Sequence, residues 1–268
     1  MNKFTTYRTA TIHYRKVGRG IPVVMIHGFA EDQEVWEYQV EALHHQVQFI
    51  LPDVPGSGKS TFLDEGAIGM EQYAEAIRAV VEAEQLDKFA LIGHSMGGYI
   101  ALAYAERWPE SLTGLGLFHS TAFPDNEEKI ANRKKGISFI QTHGAHEFLK
   151  QSIPNLFSAR YKEGAPKEVE KLIARGTNFS APELVQYYEA MMVRPDRTGL
   201  LKSLEIPILF IIGEEDKTLN LQDGLTQACM PGLSHVFIFP QTAHMGMWEA
   251  TRRSNSSVMK FLDQQKEY

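Results

Sequence analysis

Apolar residues along this 268-residue chain follow two rhythms. The first is a set of short unbroken runs bounded by turn residues. They are Pro22 to His27, Val47 to Pro52, Phe89 to Gly93, Leu112 to Phe118, Ile206 to Gly213 and His235 to Phe239. Runs of this length without polar alternation fit strands buried on both faces of a parallel sheet. Residues 5 to 17 behave differently. Ile12, Tyr14 and Val17 sit among polar positions, which predicts an antiparallel hairpin at a sheet edge.

The second rhythm is helical. Trp36, Val40 and Leu43 recur at spacings of four and three within Gln33 to His45. Tyr73, Ile77, Val80, Val81 and Glu84 keep a helical period within Met70 to Gln85. Met96 to Arg107 is Ala-rich and ends before Pro109. Strands alternating with helices predict a doubly wound α/β fold, a mostly parallel sheet of about eight strands with right-handed crossovers.

The alternation breaks once. Between about Thr121 and Leu201 no strand pattern stands out, and four helical stretches replace it: Glu127 to Gln141, His146 to Phe157, Lys167 to Arg175 and Pro182 to Met192. The division expected is a first core segment over 1–120, a helical insertion over 121–201 and a second core segment over 202–268. No internal repeat or low-complexity segment interrupts it.

Composition narrows the function. Hydrophobic content is 43% and charged content 22%, ordinary for a globular chain with a sizeable core. The net charge is −6, with no basic stripe or tail, so binding of nucleic acid by phosphate neutralisation is not expected. One cysteine, Cys229, leaves no intramolecular disulfide and no cysteine-based zinc cluster. It is expected to pack as a small buried hydrophobe. The first residues carry no apolar signal segment, and no apolar run is long enough to cross a bilayer. A cytoplasmic protein without membrane contact is expected; a homodimer is left open.

The stretch Asp53-Val54-Pro55-Gly56-Ser57-Gly58-Lys59-Ser60-Thr61 ends like a phosphate-binding loop. The template for that loop is G-x-x-x-x-G-K-[ST]. Anchoring its tail on Gly58-Lys59-Ser60 places Asp53 where the first glycine belongs. A carboxylate there repels phosphate, and residues 62 to 66 open no helix to receive it. The run needs another explanation.

The strongest chemical signal is Gly93-His94-Ser95-Met96-Gly97-Gly98, between an apolar strand and an Ala-rich helix. It matches G-x-S-x-G in its required context. Small neighbours let a sharp strand-to-helix turn form, and that turn pushes the serine Oγ out of the sheet. A serine needs a base, and the base needs an orienting acid. Asp216 follows the run Ile208 to Gly213, with Glu214 and Glu215 as near alternatives, and His244 follows the run ending at Phe239. Both fall just past the carboxyl ends of strands, where open α/β sheets bind ligands.

These motifs together resemble the α/β-hydrolase superfamily, in particular its short serine hydrolases with a cap, and the resemblance covers nearly the whole chain. His27-Gly28-Phe29 is similar to the family's oxyanion loop. Asp53 to Ser60 is similar to its D-x-P-G-x-G-x-S turn, Gly93 to Gly98 to its nucleophile elbow, and Gly213 to Asp216 to its acid loop. His244 to Glu249 is similar to its H-x-x-x-x-E base turn. The resemblance implies Ser95 as nucleophile, His244 as general base and acid, and Asp216 as the group holding the imidazole. It implies an oxyanion hole from the backbone N–H groups of Phe29 and Met96, with no cofactor and no metal. A proline that often follows the acid is missing from Thr218-Leu219-Asn220.

The implied activity is hydrolysis of an ester or related acyl bond in a small, largely apolar substrate. Two alternatives are carbon–carbon bond hydrolysis on the same triad and a ligand receptor with a vestigial triad. Met245 stands where carbon–carbon hydrolases carry a tryptophan after the histidine, and Tyr99 and Ile100 stand where a related lyase carries an arginine. His94 reads as packing. His44-His45 and His143/His146 lack the carboxylate context of a metal site. Tyr187, Tyr188, Met191 and Met192 read as core.

The loop from Gly56 to Thr61 is expected to bind no nucleotide. Calorimetric titration with ATP and magnesium should give no binding heat; affinity abolished by Lys59→Ala would reverse this reading.

Overall fold

The computed structural model describes residues 1–264. β1 (Asn2–Tyr7) and β2 (Ala10–Gly18) form the expected hairpin. The other strands are β3 (Ile21–Ile26), β4 (Val47–Pro52), β5 (Phe89–His94), β6 (Leu112–Phe118), β7 (Ile208–Gly213) and β8 (Ser234–Phe239). They make one eight-stranded sheet in the order β1-β2-β4-β3-β5-β6-β7-β8. β2 pairs antiparallel with β4, and every pairing from β4 to β8 is parallel.

β5 and β7 are buried at every position, which requires a helical layer on each face. α1 (Glu37–Leu43) packs on α12 (Thr251–Gln264), and α2 (Met70–Ala83) packs on α3 (Met96–Arg107). α1 is shorter than its sequence pattern because a turn of 3-10 helix, Gln33–Trp36, precedes it. β8 departs from the buried-strand expectation: it lies at the sheet edge and exposes Val236 and Ile238. Cys229 also departs. It caps α10 (Leu221–Ala228) and is exposed rather than buried.

The strand order creates one switch point. From β3 the chain moves outward to β4, then returns past β3 to β5. β3 and β5 are neighbours whose following segments leave in different directions, and the crevice between them lies at their carboxyl ends.

Between β6 and β7 the chain forms helices only: α4 (Glu127–His143), α5 (Ala145–Ser152), α6 (Ala159–Gly164), α7 (Pro166–Arg175), α8 (Ala181–Met192) and α9 (Thr198–Ser203). α6 and α9 escaped the sequence pattern because each is under two turns long. Caps define the longer ones. Asn126 accepts from the Lys129 N–H at 2.9 Å, and Glu183 reaches back to the Ser180 N–H that opens α8. This layer touches the carboxyl-end loops of the sheet. Tyr187 donates to the Pro55 carbonyl at 2.7 Å, and Gln186 donates to the Leu63 carbonyl at 3.0 Å.

The Asp53 loop is a phosphate cradle turned inside out. Amides from two segments hold the protein's own carboxylate: Asp53 accepts from Lys59 N–H within the loop and from Gln33 N–H in the 3-10 turn, each at 2.9 Å. His13 Nδ1 lies 2.7 Å from the same group, buried with it. Gly58 adopts φ +56° and packs so close to the carboxylate that a methyl would collide with it. Burial pushes the Asp53 carboxyl up, but the His13 bond, the His27 charge and the amides outweigh it and hold it below 3.8. Its stabilisation is therefore present above that value and lost as pH falls through the lower folded one.

Asp53→Ala leaves His13 and two amides buried without their partner. Urea denaturation should show a loss of about 3–5 kcal/mol near neutral pH; an unchanged midpoint would mean that the loop holds its shape without the carboxylate.

Candidate active site

Ser95 caps the N-terminus of α3 with φ 51° and ψ −117°, a conformation costly for a residue with a side chain. The backbone around it explains how it persists. Ser95 N–H donates to the Phe118 carbonyl at 3.0 Å, and the Ser95 carbonyl accepts from Gly98 N–H at 2.9 Å and the Ser120 hydroxyl at 2.7 Å. A methyl at Gly97 would strike the carbonyls of Ile26 and His27 at the end of β3, and one at Gly93 would strike the Gly97 backbone. Only glycine fits at these two positions. The loop after β3 passes over the serine: a methyl at Gly28 would lie 3.2 Å from Ser95 Cβ. Met96 opens α3, where the first N–H groups lack an intrahelical acceptor and favour negative charge.

His244 and Asp216, the expected base and acid, come together from the ends of two neighbouring strands. His244 Nδ1 lies 2.7 Å from Asp216 Oδ2, with both side chains buried. Asp216 Oδ1 accepts from Thr218 N–H at 2.8 Å, from the Thr218 hydroxyl at 2.7 Å and from Leu219 N–H at 3.2 Å. Thr218 Oγ1 also faces His244 Nδ1 at 2.6 Å. Thr218 therefore bonds to both members of the pair. Burial alone would push Asp216 up; the charge and hydrogen bond of His244 lead the contributions that reverse this and hold it well below the usual carboxylate range. Burial likewise disfavours the charged form of His244, and the Asp216 charge and bond overcome it, raising His244 above 6.5.

Several contributors were silent in the sequence. Glu249 belongs to the H-x-x-x-x-E turn, but its role is visible only in space. One oxygen accepts from Ala243 N–H at 3.2 Å and Met245 N–H at 3.3 Å, bracketing His244 on both sides. The other accepts from Ser158 N–H at 3.0 Å, and His244 N–H donates to the Leu156 carbonyl at 2.9 Å. The base loop is therefore fastened to the helical insertion. His119, after β6, is fully buried, and burial pushes its imidazole down to about 4. Its Nδ1 accepts from Gly213 N–H at 3.2 Å, bracing the acid loop as a neutral ring. His94, expected only to pack, is paired with Glu31 at 3.0 Å. Short-motif reading reaches Glu249 but neither the His119 nor the Glu31–His94 contact, because partners 94 residues apart, such as His119 and Gly213, leave no local pattern.

Phe29 meets the insertion through aromatic contacts. Its ring stacks on Tyr188 at 4.5 Å between centroids and meets Phe148 and Tyr187 edge-on at 6.5 and 6.2 Å. Tyr187 is a strut rather than simple core, since its hydroxyl also meets Ser57 Oγ at 2.7 Å. Among the described residues, His119, Asp216 and His244 cluster closely enough to offer ligand atoms to one metal ion, within 4.8 Å of each other. His244 Nδ1 and Asp216 Oδ2 are already bonded to each other, so an ion drawing on those atoms would have to displace that bond. No helix among the described residues is long and apolar enough to cross a membrane.

Comparison with known proteins agrees with this geometry. Residues 21–136 match the family described as alpha/beta hydrolase fold. A thermophilic esterase from Thermogutta terrifontis superposes with a TM-score of 0.92 at 27% identity, covering 99% of each chain. An enol-lactonase from Burkholderia xenovorans shares the fold, with a TM-score of 0.90 at 20% identity over 97% of this chain and 100% of that one. In sequence, the 2-hydroxy-6-oxo-6-phenylhexa-2,4-dienoate hydrolase of Comamonas testosteroni is 26% identical over 94% of this chain and 91% of its own. The switch-point crevice, the strained serine turn and these likenesses point the same way: the chain has the α/β-hydrolase fold and is a hydrolase of that fold.

Proposed function

We propose that the protein is a serine hydrolase that cleaves an ester or related acyl bond of a small, largely apolar molecule through an acyl-enzyme. The observation that carries this reading is the buried 2.7 Å bond from Asp216 to His244, together with a serine held at φ 51° whose neighbour His94 lies 3.0 Å from the His244 carbonyl. Ser95 Oγ attacks the substrate carbonyl as His244 Nε2 takes its proton. Asp216 stabilises the resulting imidazolium, and the Phe29 and Met96 N–H groups hold the oxyanion. Collapse expels the alcohol, which receives the proton from His244. Water, deprotonated by the same imidazole, then attacks the acyl carbon and releases acid and free Ser95. No redox or metal step is required.

Residues 121–201 act in this reading as a cap between core segments 1–120 and 202–268. Its aromatic contacts to Phe29 supply apolar walls and set the substrate's size. A second reading, carbon–carbon bond hydrolysis on the same triad, is favoured by the dienoate hydrolases among the full-length relatives. A screen of p-nitrophenyl esters by chain length, run beside the dienoate of the Comamonas enzyme, separates the two: higher kcat/KM on an ester supports the first.

Ser95→Ala and His244→Ala should each lower kcat by on the order of 10⁴-fold or more, and the double variant should be no worse, because triad members act as one unit. Losses that multiply, or a folded Ser95→Ala protein with wild-type turnover, would contradict the assignment.

The base must be neutral to act, and His244 sits above 6.5. The acid limb of kcat/KM should therefore have its midpoint above that value, and Asp216→Asn should move it down. A midpoint at or below 6.5 in the wild type would mean that Asp216 does not govern the base.

A further inference from the structure

Two buried titratable side chains beside the triad take no part in the mechanism above. Glu31 is 4% exposed and His94 is 0% exposed. His94 immediately precedes Ser95, and its ring centre lies 4.8 Å from that of His244. Its Nε2 is 3.0 Å from the His244 carbonyl oxygen. Its Nδ1 is 3.0 Å from Glu31 Oε2, and that same oxygen accepts the Gly28 N–H at 2.7 Å. Two further ionisable groups face the pair: His119, with its ring centre 6.2 Å from that of His94, and His27, whose charge acts on Glu31.

A count of hydrogens assigns the roles. A carbonyl oxygen can only accept, and a carboxylate oxygen that already takes an amide N–H is also an acceptor. With Glu31 ionised, both nitrogens of His94 face acceptors, the arrangement that suits a ring carrying hydrogen on each. Glu31 is the matching anion. Burial pushes its carboxyl up, but the charge and bond of His94 and the Gly28 amide outweigh it and hold it below 4.5.

We propose that Glu31 and His94 are a positioning pair for catalysis, in which His94, donating from both ring nitrogens, sets the oxyanion loop and the base loop against the nucleophile turn. The three loops follow three different strands: Gly28 to Glu31 after β3, Ser95 after β5 and His244 after β8. Bonds spanning 63 and 150 residues join them through one imidazole. Attack by Ser95 needs the serine, the base and the oxyanion donors in mutual register, and displacement by about 1 Å can cost on the order of 100-fold in rate.

The isosteric Glu31→Gln shows why charge is needed. With its oxygen toward Gly28 and His94, the amide gives a doubly protonated ring no counterion. If the ring then loses its Nε2 hydrogen, a lone pair faces the His244 carbonyl. With its nitrogen there instead, the Gly28 N–H faces another donor. Each orientation sacrifices one of the contacts.

The proposal rests on Ser95 and His244 being nucleophile and base, and its test separates the two ideas. Nitrogen-15 NMR of histidine-labelled wild-type protein at neutral pH should show hydrogen on both Nδ1 and Nε2 of His94; a bare ring nitrogen overturns the proposal, whether or not any variant folds. Kinetics then follow on Glu31→Gln, His94→Phe and the double variant. Each single change should lower kcat by about 10- to 100-fold while KM moves less than about 3-fold, with the double no worse than the poorer single. Unchanged kcat in a folded single variant, or losses that multiply, overturns it. Failure of the nucleophile reading looks different: Ser95→Ala then keeps wild-type turnover, whatever the Glu31 and His94 variants do.

Discussion

Everything at this site depends on backbones meeting with no side chains between them. The end of β3, the turn after β5 and the first residues of α3 approach so closely that methyl groups at Gly93 and Gly97 would strike peptide atoms. That contact forces Ser95 to φ 51°, a strain of about 1–3 kcal/mol by the usual cost of such conformations. The surrounding hydrogen bonds, to Phe118, Gly98 and Ser120, hold it there. Relax any of the three segments and the serine turns back toward an ordinary helix start. The switch point between β3 and β5 is where the sheet allows such a meeting, because the two chains leave it in different directions.

A second constraint comes from the helices between β6 and β7. They grip the reactive end at several loops: Tyr187 on Pro55 and Ser57, Gln186 on Leu63, and the Leu156 carbonyl on the His244 amide. The loop that mimics a phosphate cradle becomes, through its internal carboxylate Asp53, a firm seat for Tyr187. Glu249 performs a similar service on the other side, bracketing His244 and holding Ser158 at once. Displacing these helices would therefore disturb the base loop as well as the apolar wall around Phe29.

The strands were legible because a fully buried parallel strand has no choice but to be apolar along its length, as Ile208 to Gly213 shows. Ser95 and Asp216 stood out in the sequence for a related reason: each lies just beyond such a strand, where a doubly wound sheet binds its ligands, while His244 stood out only by its place after the edge strand β8. The hydrophobic pattern failed where burial is partial or elements are short. β8 sits at an edge, α6 and α9 are under two turns, and Cys229 ends a helix on the surface. Thr218, His119 and Glu31 were illegible for a deeper reason. Their partners are fixed by tertiary approach, and a threonine two residues past an acid or a histidine after a strand looks the same whether or not that approach occurs.

The central claim is that Ser95 is the activated nucleophile, and one measurement addresses it directly. The protein is labelled with a fluorophosphonate, its intact mass is recorded, and the adduct is mapped by peptide while ester turnover is followed in the same sample. The account predicts a single adduct on Ser95, with activity falling in proportion to its occupancy. A stoichiometric adduct on any other side chain, or full turnover once Ser95 is occupied, would contradict it.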